Sequence, residues 1–342
     1  MKQGRIQRAP GVPPIADPAD LMKIVSAFRL SRIILTAFEL GVFTALGGRR
    51  AASAAVAKSL RADARGVDRL MNALCAMGLL RKWGGKFANT PFSAEYLVRG
   101  RPGYLGGLAH TANNWSSWSS LTDAVERGGT VLRRRRAWKG SPRKRTRGFI
   151  AAMHQRASAQ AAEIVKRLDL SGVRRILDVG GGSGAYAMAL VGAGTNVKAA
   201  IFDLPDVIRL ARIYVRKARL TRRFTFLAGD FRKDDFGRGY DLVLLSAVIH
   251  MNSAVENKKL IRKCARALAP GGRLVVQDFI MDGSRTRPAA GAFFALNMMV
   301  GTKAGDTYTE RDVRGWMRAA GLSRIRRVDT PFDNSLMIGT RK

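Results

Sequence analysis

A glycine-rich segment in the middle of the chain has the composition of a ligand-binding turn. The segment Asp178 to Gly184, DVGGGSG, lies where a short apolar run gives way to a helical pattern. Glycines permit a tight turn and a close approach of ligand to backbone, while the free N–H groups of a helix N-terminus attract anionic groups. Gly180, Gly182 and Ala185 also satisfy the spacing of dinucleotide-binding proteins. The turn therefore predicts a nucleotide-like cofactor without deciding between classes.

Two carboxylates after later strands narrow the choice of cofactor. Asp203 falls at the end of the second predicted strand, where it could accept hydrogen bonds from both hydroxyls of a ribose, as either class of cofactor would require. Asp230 follows the third strand and could accept from an adenine amino group, and Phe231 beside it could lie against the ring. With Asp178 preceding the glycines, this pattern favours S-adenosylmethionine and a methyltransferase. NAD and an oxidoreductase remain the alternative.

A histidine follows the fourth predicted strand. His250 comes soon after Leu242–Ser246 and just before Ser253 to Glu256, a capping box that begins the next helix. Ligands of an open α/β sheet collect at the carboxyl ends of its strands, and an imidazole there could take a proton from an acceptor hydroxyl. Asp278, at the end of the following strand, could orient the imidazole. A packing role for His250 and a turn-capping role for Asp278 remain the alternatives.

The elements that position these residues are a series of strands separated by helices. From Arg174 onward short β-rich apolar runs alternate with helical stretches, which predicts an α/β domain with a mostly parallel sheet and helices on both faces. The predicted strands are 176–179, 197–202, 224–228, 242–246, 274–277, 325–328 and 335–339.

The N-terminal half reads as helical with a small wing. Apolar residues recur at helical spacing from Pro18 to Leu46, and the same spacing is found in later segments of this half. We predict helices at 51–60, 67–78, 103–128 and 149–168, and a two-stranded wing at 79–90. A winged helix can bind DNA, but the first helices are too apolar for the surface of a monomer, so the pattern favours packing against a second copy of the chain.

Length and charge set the remaining expectations. The 342 residues suit two domains, and we expect a flexible tail at 1–17, a winged-helix-like dimerisation domain at 18–130, a basic linker at 131–148 and a methyltransferase domain at 149–342. The formal charge of +35 invites a nucleic-acid reading, but the basic residues are spread over both halves, and the densest run, Arg133 to Arg147, reads as a loop. We therefore expect no nucleic-acid partner.

Cysteine usage and hydropathy bear on the compartment. Cys75 and Cys264 fit neither a disulfide framework nor a metal site, which suggests reduced core thiols, no metal and a cytoplasmic protein. The first twenty residues have no apolar run of signal-peptide length, and no segment is apolar for long enough to span a membrane.

Taken in series, the motifs resemble those of a known family. The chain resembles the small-molecule O-methyltransferases that include caffeate, acetylserotonin and hydroxyneurosporene methyltransferases, over nearly its whole length. The motifs that carry the resemblance are DVGGGSG at 178–184, FDLP at 202–205, GDF at 229–231, VIH at 248–250, APGG at 269–272 and the apolar N-terminal module. The resemblance implies a Rossmann-like seven-stranded sheet, a homodimer interlocked through the N-terminal domain, and S-adenosylmethionine as cofactor.

The resemblance also implies roles for individual residues. His250 would be the general base and Asp278 its acidic neighbour, while Leu204 and Ser246 would join the cofactor site. Matching helices would line the acceptor pocket with Met153, Phe294, Asn297 and Met298. The chain departs from plant members at Met251 and Thr307, where those have acidic residues. Methylation of nitrogen or carbon instead of oxygen therefore stays open, as does a scaffold without catalysis.

Overall fold

The chain divides into two compact units. The computed structural model describes residues 12–131 and 142–342. One unit spans Pro13–Trp115 and the other Ser116–Lys342. Most of the expected tail at 1–17, and the part of the basic run from Arg133 to residue 141, lie outside the described residues.

The N-terminal unit is mainly helical with one small sheet. Its elements are α1 (Pro18–Ser26), α2 (Phe28–Leu40), α3 (Val42–Leu46), β1 (Ala51–Ala52), α4 (Ser53–Leu60), α5 (Ala64–Ala76), β2 (Leu80–Trp83), β3 (Lys86–Asn89), α6 (Pro91–Tyr96) and α7 (Leu108–Trp118). The predicted wing is confirmed as the antiparallel pair β2 and β3, to which β1 adds a third strand. Gly84 and Gly85 form its turn with φ angles of 52° and 73°, which suit a tight hairpin.

Helices α1 and α2 expose much of their apolar surface. The larger apolar side chains exposed there are Leu21, Met22, Val25, Phe28, Leu30 and Leu40. The core of the unit lies elsewhere, around Phe43, Met71 and Phe87, each fully buried. So many exposed apolar side chains on two successive helices are typical of an interface with another protein.

The C-terminal unit holds the large sheet. Its elements are α8 (Leu121–Arg127), α9 (Pro142–Lys166), β4 (Arg175–Val179), α10 (Ala185–Ala193), β5 (Lys198–Asp203), α11 (Pro205–Lys217), β6 (Phe224–Ala228), β7 (Tyr240–Ser246), α12 (Ala254–Ala267), β8 (Leu268–Asp278), β9 (Ile280–Met281), α13 (Ala289–Gly301), β10 (Tyr308–Thr309), α14 (Glu310–Ala319), β11 (Leu322–Asp329) and β12 (Ser335–Arg341). Short 3-10 turns occupy Thr221–Arg223 and Ile249–Met251.

The seven-stranded sheet confirms the predicted α/β class. Its strands lie in the order β11, β12, β8, β7, β4, β5, β6, and only β12 runs antiparallel to its neighbours. The order reverses beside β4, where the chain crosses from one half of the sheet to the other. Ligands bind at such a switch point because the loops after the two central strands diverge there. The glycine turn follows β4 at this position.

Successive residues of the strands pack alternately into two hydrophobic cores, one on each face of the sheet. Leu177, Val243 and Val276 face one side and pack with residues of α12 and α14. Their neighbours Ile176 and Leu242 face the other side and pack with residues of α9, α10 and α11. Burial on both faces explains why these strands read as continuous apolar runs, and it fixes the carboxyl ends of the strands at one edge.

Several sequence expectations need correction. The helix expected over 103–128 begins only at Leu108 and is interrupted between Trp118 and Leu121, where Ser120 lies outside helical geometry. Residues 142–147 of the run read as a loop are helical, because α9 begins at Pro142. The parallel pair of β9 and β10 was not predicted.

Candidate active site

The glycine turn after β4 is a cradle that side chains would block. Gly180, Gly182 and Gly184 have φ angles of 69°, 58° and 77°, in the left-handed region. A Cβ atom on Gly184 would lie 2.4 Å from the Ile201 side chain, and one on Gly180 would lie 2.8 Å from Val248. The turn then leads directly into α10, which begins at Ala185. The left-handed conformation favours glycine at all three positions, and at Gly180 and Gly184 a Cβ atom would also displace a neighbouring side chain.

Asp203 anchors this turn from the end of the neighbouring strand. Its Oδ2 accepts from the backbone N–H of Gly182 at 2.9 Å, and its Oδ1 accepts from that of Leu204 at 2.7 Å. Each carboxylate oxygen keeps a lone pair for a further donor. Leu204 beside it is 51% exposed. The carboxylate and the apolar side chain thus lie together at the edge of the turn.

Asp178 lies beneath the same turn. Its side chain is buried, and a Cβ atom on Gly181 would lie 2.7 Å from its carboxyl carbon. Burial, together with the negative charge of Asp203, raises the pKa of Asp178 to about 7. Burial also raises the pKa of Asp203. Two partly desolvated carboxyl groups close to one another create a site that favours a cation.

Asp230 and Phe231 follow β6. Asp230 Oδ1 accepts from the backbone N–H of Arg232 at 2.9 Å. The half-buried ring of Phe231 packs against the core, with the Arg232 guanidinium carbon 5.2 Å from its centre. The backbone N–H of Gly229 donates to the carbonyl of Asp203 at 3.0 Å. This hydrogen bond holds the loop after β6 against the end of β5, where Asp203 also contacts the glycine turn.

Ser246 lies at the carboxyl end of β7, the strand that pairs with β4 just before the glycine turn. Its hydroxyl donates to Gln277 Oε1 at 2.9 Å. Gln277 in turn donates to the hydroxyl of Tyr186, which donates to Gln160 on α9. Ser246 thus belongs to a hydrogen-bond network that connects β7, β8, α10 and α9.

His250 and Asp278 form a buried pair. His250 is 9% exposed, and its Nδ1 lies 3.0 Å from both carboxylate oxygens of Asp278. A carboxylate only accepts, so Nδ1 donates and the lone pair of the imidazole is on Nε2. The described residues offer Nε2 no hydrogen-bond partner. The ring is thereby oriented with a basic nitrogen available to a ligand.

The backbone around His250 is held by the loop that contains Thr307. The N–H of Asp306 donates to the carbonyl of His250 at 3.0 Å, and Thr307 itself is buried. Met251, which ends the 3-10 turn of His250, is 36% exposed. Of the two departures from the plant pattern, Met251 follows His250 in sequence, and Thr307 lies in the loop that holds the His250 backbone.

The predicted acceptor residues lie on α9 and α13. The Phe294 ring meets the His250 ring edge-on, with centres 4.8 Å apart. Asn297 accepts from the Trp118 indole N–H at 3.0 Å. Met153 is half-buried, whereas Met298 is 7% exposed and belongs largely to the interior. Phe294 therefore lies directly beside the candidate base.

One interaction at the turn was missed in the sequence. His154 Nδ1 lies 2.9 Å from the hydroxyl of Ser183, and its ring lies against Tyr214 with centres 4.0 Å apart. Burial, with the charge of Lys217, lowers the pKa of His154. Helical spacing places His154 one turn after Ile150, whose side chain approaches Gly182. These contacts show that α9 packs over the glycine turn, which no local sequence pattern indicates.

The donors and acceptors fit S-adenosylmethionine. The turn offers a surface without side chains, Asp203 has lone pairs of the kind that ribose hydroxyls need, and the buried carboxyl group of Asp178 lies near that of Asp203. Exposed Leu204 and the loop after β6 both lie next to Asp203. Sheet order, turn and carboxylates together define a Rossmann-like S-adenosylmethionine-dependent methyltransferase.

Comparisons with known proteins agree. Family models match an O-methyltransferase domain at residues 118–323 and an O-methyltransferase dimerisation domain at residues 22–99. The chain is 31% identical to the 3-hydroxy-5-methyl-1-naphthoate 3-O-methyltransferase of Streptomyces sahachiroi, over 97% of this chain and 98% of that protein. It is 30% identical to the N,N-dimethyltransferase OxyT of Streptomyces rimosus, over 80% of this chain and 81% of OxyT.

A solved structure gives the same picture. The human N-acetylserotonin methyltransferase in complex with S-adenosylmethionine matches with a TM-score of 0.79 and 25% identity, over 96% of this chain and 99% of that one. The chain therefore belongs to the O-methyltransferase family. It is an S-adenosylmethionine-dependent methyltransferase that acts on a small metabolite.

Proposed function

We propose that His250 is the general base for methylation of a hydroxyl on an aromatic or polycyclic metabolite, and that Asp278 orients it. The observation that carries this proposal is the contact of His250 Nδ1 with both oxygens of Asp278. The pair lies at the carboxyl ends of β7 and β8, the edge that also holds the glycine turn.

The reaction is transfer of a methyl group from the cofactor to the acceptor hydroxyl. S-adenosylmethionine supplies an electrophilic methyl group on a sulfonium. Asp178, Asp203 and Asp230 would hold the cofactor through its cationic, ribose and adenine parts, and the turn from Gly180 to Gly184 would approach it through the backbone. Nε2 of His250 accepts the proton of the acceptor hydroxyl, and Asp278 stabilises the imidazolium that results. Alignment of the two reactants contributes most of the rate, with base catalysis adding roughly a hundredfold or more.

The residues beside the base favour an aromatic acceptor. Phe294 stands edge-on to His250, Phe279 lies 4.8 Å from Phe294 between ring centres, and half-buried Met153 is on α9. Aromatic and methionine side chains favour a flat apolar ligand. The relative from Streptomyces sahachiroi is named for a naphthoate, which supports an aromatic acceptor here.

The experiment uses a labelled methyl group. Purified protein is incubated with S-adenosylmethionine carrying a trideuteromethyl group and with an extract of its own cells. We expect a small aromatic product with one added trideuteromethyl group, bonded to oxygen by NMR, that is lost with His250→Gln. A product labelled on nitrogen or carbon, or an undiminished yield with His250→Gln, would overturn the proposal.

A second candidate function is N-methylation. The similarity to OxyT, an N,N-dimethyltransferase, favours it. An amine acceptor needs removal of a proton from nitrogen, which the same imidazole could accept. The NMR assignment of the labelled methyl group distinguishes the two functions.

We further propose that the protein is a cytoplasmic homodimer that takes a small-molecule acceptor and no nucleic acid. The match to a dimerisation domain at residues 22–99 and the exposed apolar surface of α1 and α2 support the dimer. Within the described residues, no helix combines the length and apolarity needed to cross a bilayer. Light scattering tests the dimer, and a salt titration of nucleic-acid binding tests the excluded partner.

A further inference from the structure

An arginine, Arg156, lies on α9 near the predicted acceptor residue Met153. Arg156 follows Met153 by three residues, a spacing that makes side chains neighbours on a helix surface. Its guanidinium carbon lies over the ring of Phe279, 5.6 Å from the ring centre. Phe279 directly follows Asp278, so the charge of Arg156 stands at the carboxyl end of β8, beside the catalytic edge of the sheet.

Two aromatic rings connect this cation to the candidate base. The ring of Phe279 lies 4.8 Å from that of Phe294, and Phe294 meets the His250 imidazole edge-on at the same distance between centres. The two rings form a continuous aromatic contact with the His250 imidazole at one end and the Arg156 guanidinium at the other. A flat acceptor against these rings would place its hydroxyl near His250 and its far substituent near Arg156.

The donors of Arg156 are not committed to a protein carboxylate. Within the described residues no ion pair includes Arg156, and the nearby Asp278 is engaged by His250 Nδ1 and by the N–H of Phe279 at 2.9 Å. In a chain with 60 basic and 25 acidic residues, an arginine without an acidic partner is ordinary. Arg156 is distinguished by its position over Phe279, near His250. A planar guanidinium binds carboxylates in a bidentate manner and stacks on aromatic rings.

We propose that Arg156 recognises a carboxylate on the acceptor, so that the substrates are hydroxylated aromatic acids and not neutral phenols. This inference rests on the proposed function, because it places the acceptor between His250 and Arg156. Arg156 is then a residue that determines specificity and takes no part in the transfer of the methyl group.

The test compares two probes that differ only in charge. The protein saturated with S-adenosylhomocysteine is titrated with 6-hydroxy-2-naphthoate and with its uncharged carboxamide, followed by naphthalene fluorescence. We expect the wild type to bind the carboxylate at least roughly tenfold more tightly, as for a hydrogen bond to a charged group. Arg156→Gln removes this preference, and Arg156→Lys restores part of it. Arg143→Gln, an exposed arginine on the first turn of α9 about 20 Å away along the helix, preserves it.

Two further readouts separate the possible failures. Equal or absent binding of the two probes by the wild type overturns the inference. A rise in the dissociation constant of S-adenosylhomocysteine with Arg156→Gln also overturns it, because it would assign the arginine to the carboxylate of the cofactor. Methyl transfer is measured separately with both probes, and its absence despite selective binding of the carboxylate would count against the proposed function alone.

Discussion

Asp178 lies fully buried beneath the glycine turn, close enough to Asp203 for their charges to repel. Burial and this repulsion raise the pKa of Asp178 to about 7. A carboxyl group in this setting is protonated in the free protein at mildly acidic pH. A cationic ligand would favour the ionised form, which links cofactor binding to release of a proton.

This linkage predicts how cofactor affinity varies with pH. The affinity for S-adenosylhomocysteine, which carries an ammonium group, should rise as the pH increases toward about 7 and level off above it. Calorimetry at pH 6 in buffers of different ionisation enthalpy, chosen roughly one unit below that pKa, should detect proton release. Asp178→Asn should abolish the release, while Asp333→Asn in an exposed turn should not.

The same shift has a consequence for stability. Because the folded pKa of Asp178 exceeds its unfolded value of 3.8, the group stabilises the fold only at low pH, and this contribution is lost between about pH 4 and pH 7. The melting temperature of the ligand-free wild type should therefore fall more than that of Asp178→Asn when the pH is raised from about 5 to about 8, a range that includes most of this titration. Parallel curves for the two proteins would contradict the assignment.

The glycine turn predicts a contrast between two glycine substitutions. Gly184→Ala combines a left-handed φ of 77° with a Cβ atom 2.4 Å from Ile201, so it should lower the free energy of unfolding by about 2 kcal/mol or more and weaken cofactor binding. Gly192→Ala, in α10 with open space at its Cβ position, should be neutral or stabilising by about 0.5–1 kcal/mol. Urea unfolding and titration with S-adenosylhomocysteine measure both effects. Equal behaviour of the two variants would show that the turn is not constrained.

The sequence was most informative about the sheet. Strands buried on both faces read as apolar runs, so the seven strands were located to within a few residues, with β8 extending furthest beyond the prediction at its N-terminal end. Short elements escaped detection. Ile280–Met281 and Tyr308–Thr309 are two-residue strands that pair across a helix, so no local pattern marks them.

The site was predictable where a residue follows a strand directly. Asp203 and Asp278 end strands and Asp230 follows one by two residues, and the parallel sheet places all three at the same edge. Residues on α9 were harder to place, because its packing over the glycine turn depends on long-range contacts. The contact of His154 with Ser183 and that of Arg156 with Phe279 are seen only in the three-dimensional structure.

The acceptor surface predicts different roles for two adjacent phenylalanines. Phe294 meets the His250 ring, whereas Phe293 is 51% exposed. Phe294→Ala should raise the KM for an aromatic acceptor by roughly tenfold through lost ring contact, with little change in cofactor affinity. Phe293→Ala should leave both near wild type. Steady-state kinetics with each variant gives the answer, and similar KM values for the two would remove Phe294 from the acceptor surface.

The apolar surface of α1 and α2 predicts the oligomeric state. Phe28 is 55% exposed, and Phe28→Asp should shift the protein from dimer toward monomer because a charge in an apolar interface is costly. Val255→Asp is a matched control, since Val255 is 62% exposed at the start of α12 in the other unit. Light scattering across a dilution series distinguishes them. A wild type that is monomeric throughout would contradict the proposed dimer.

The most direct measurement is the rate of methyl transfer in a single turnover, with enzyme and S-adenosylmethionine preassembled and the acceptor identified by labelling added in limiting amount. For His250→Gln we predict a fall in that rate of roughly a hundredfold or more, with the dissociation constants of cofactor and acceptor unchanged. A variant that transfers the methyl group as fast as the wild type would show that His250, despite its contact with Asp278, is not the base.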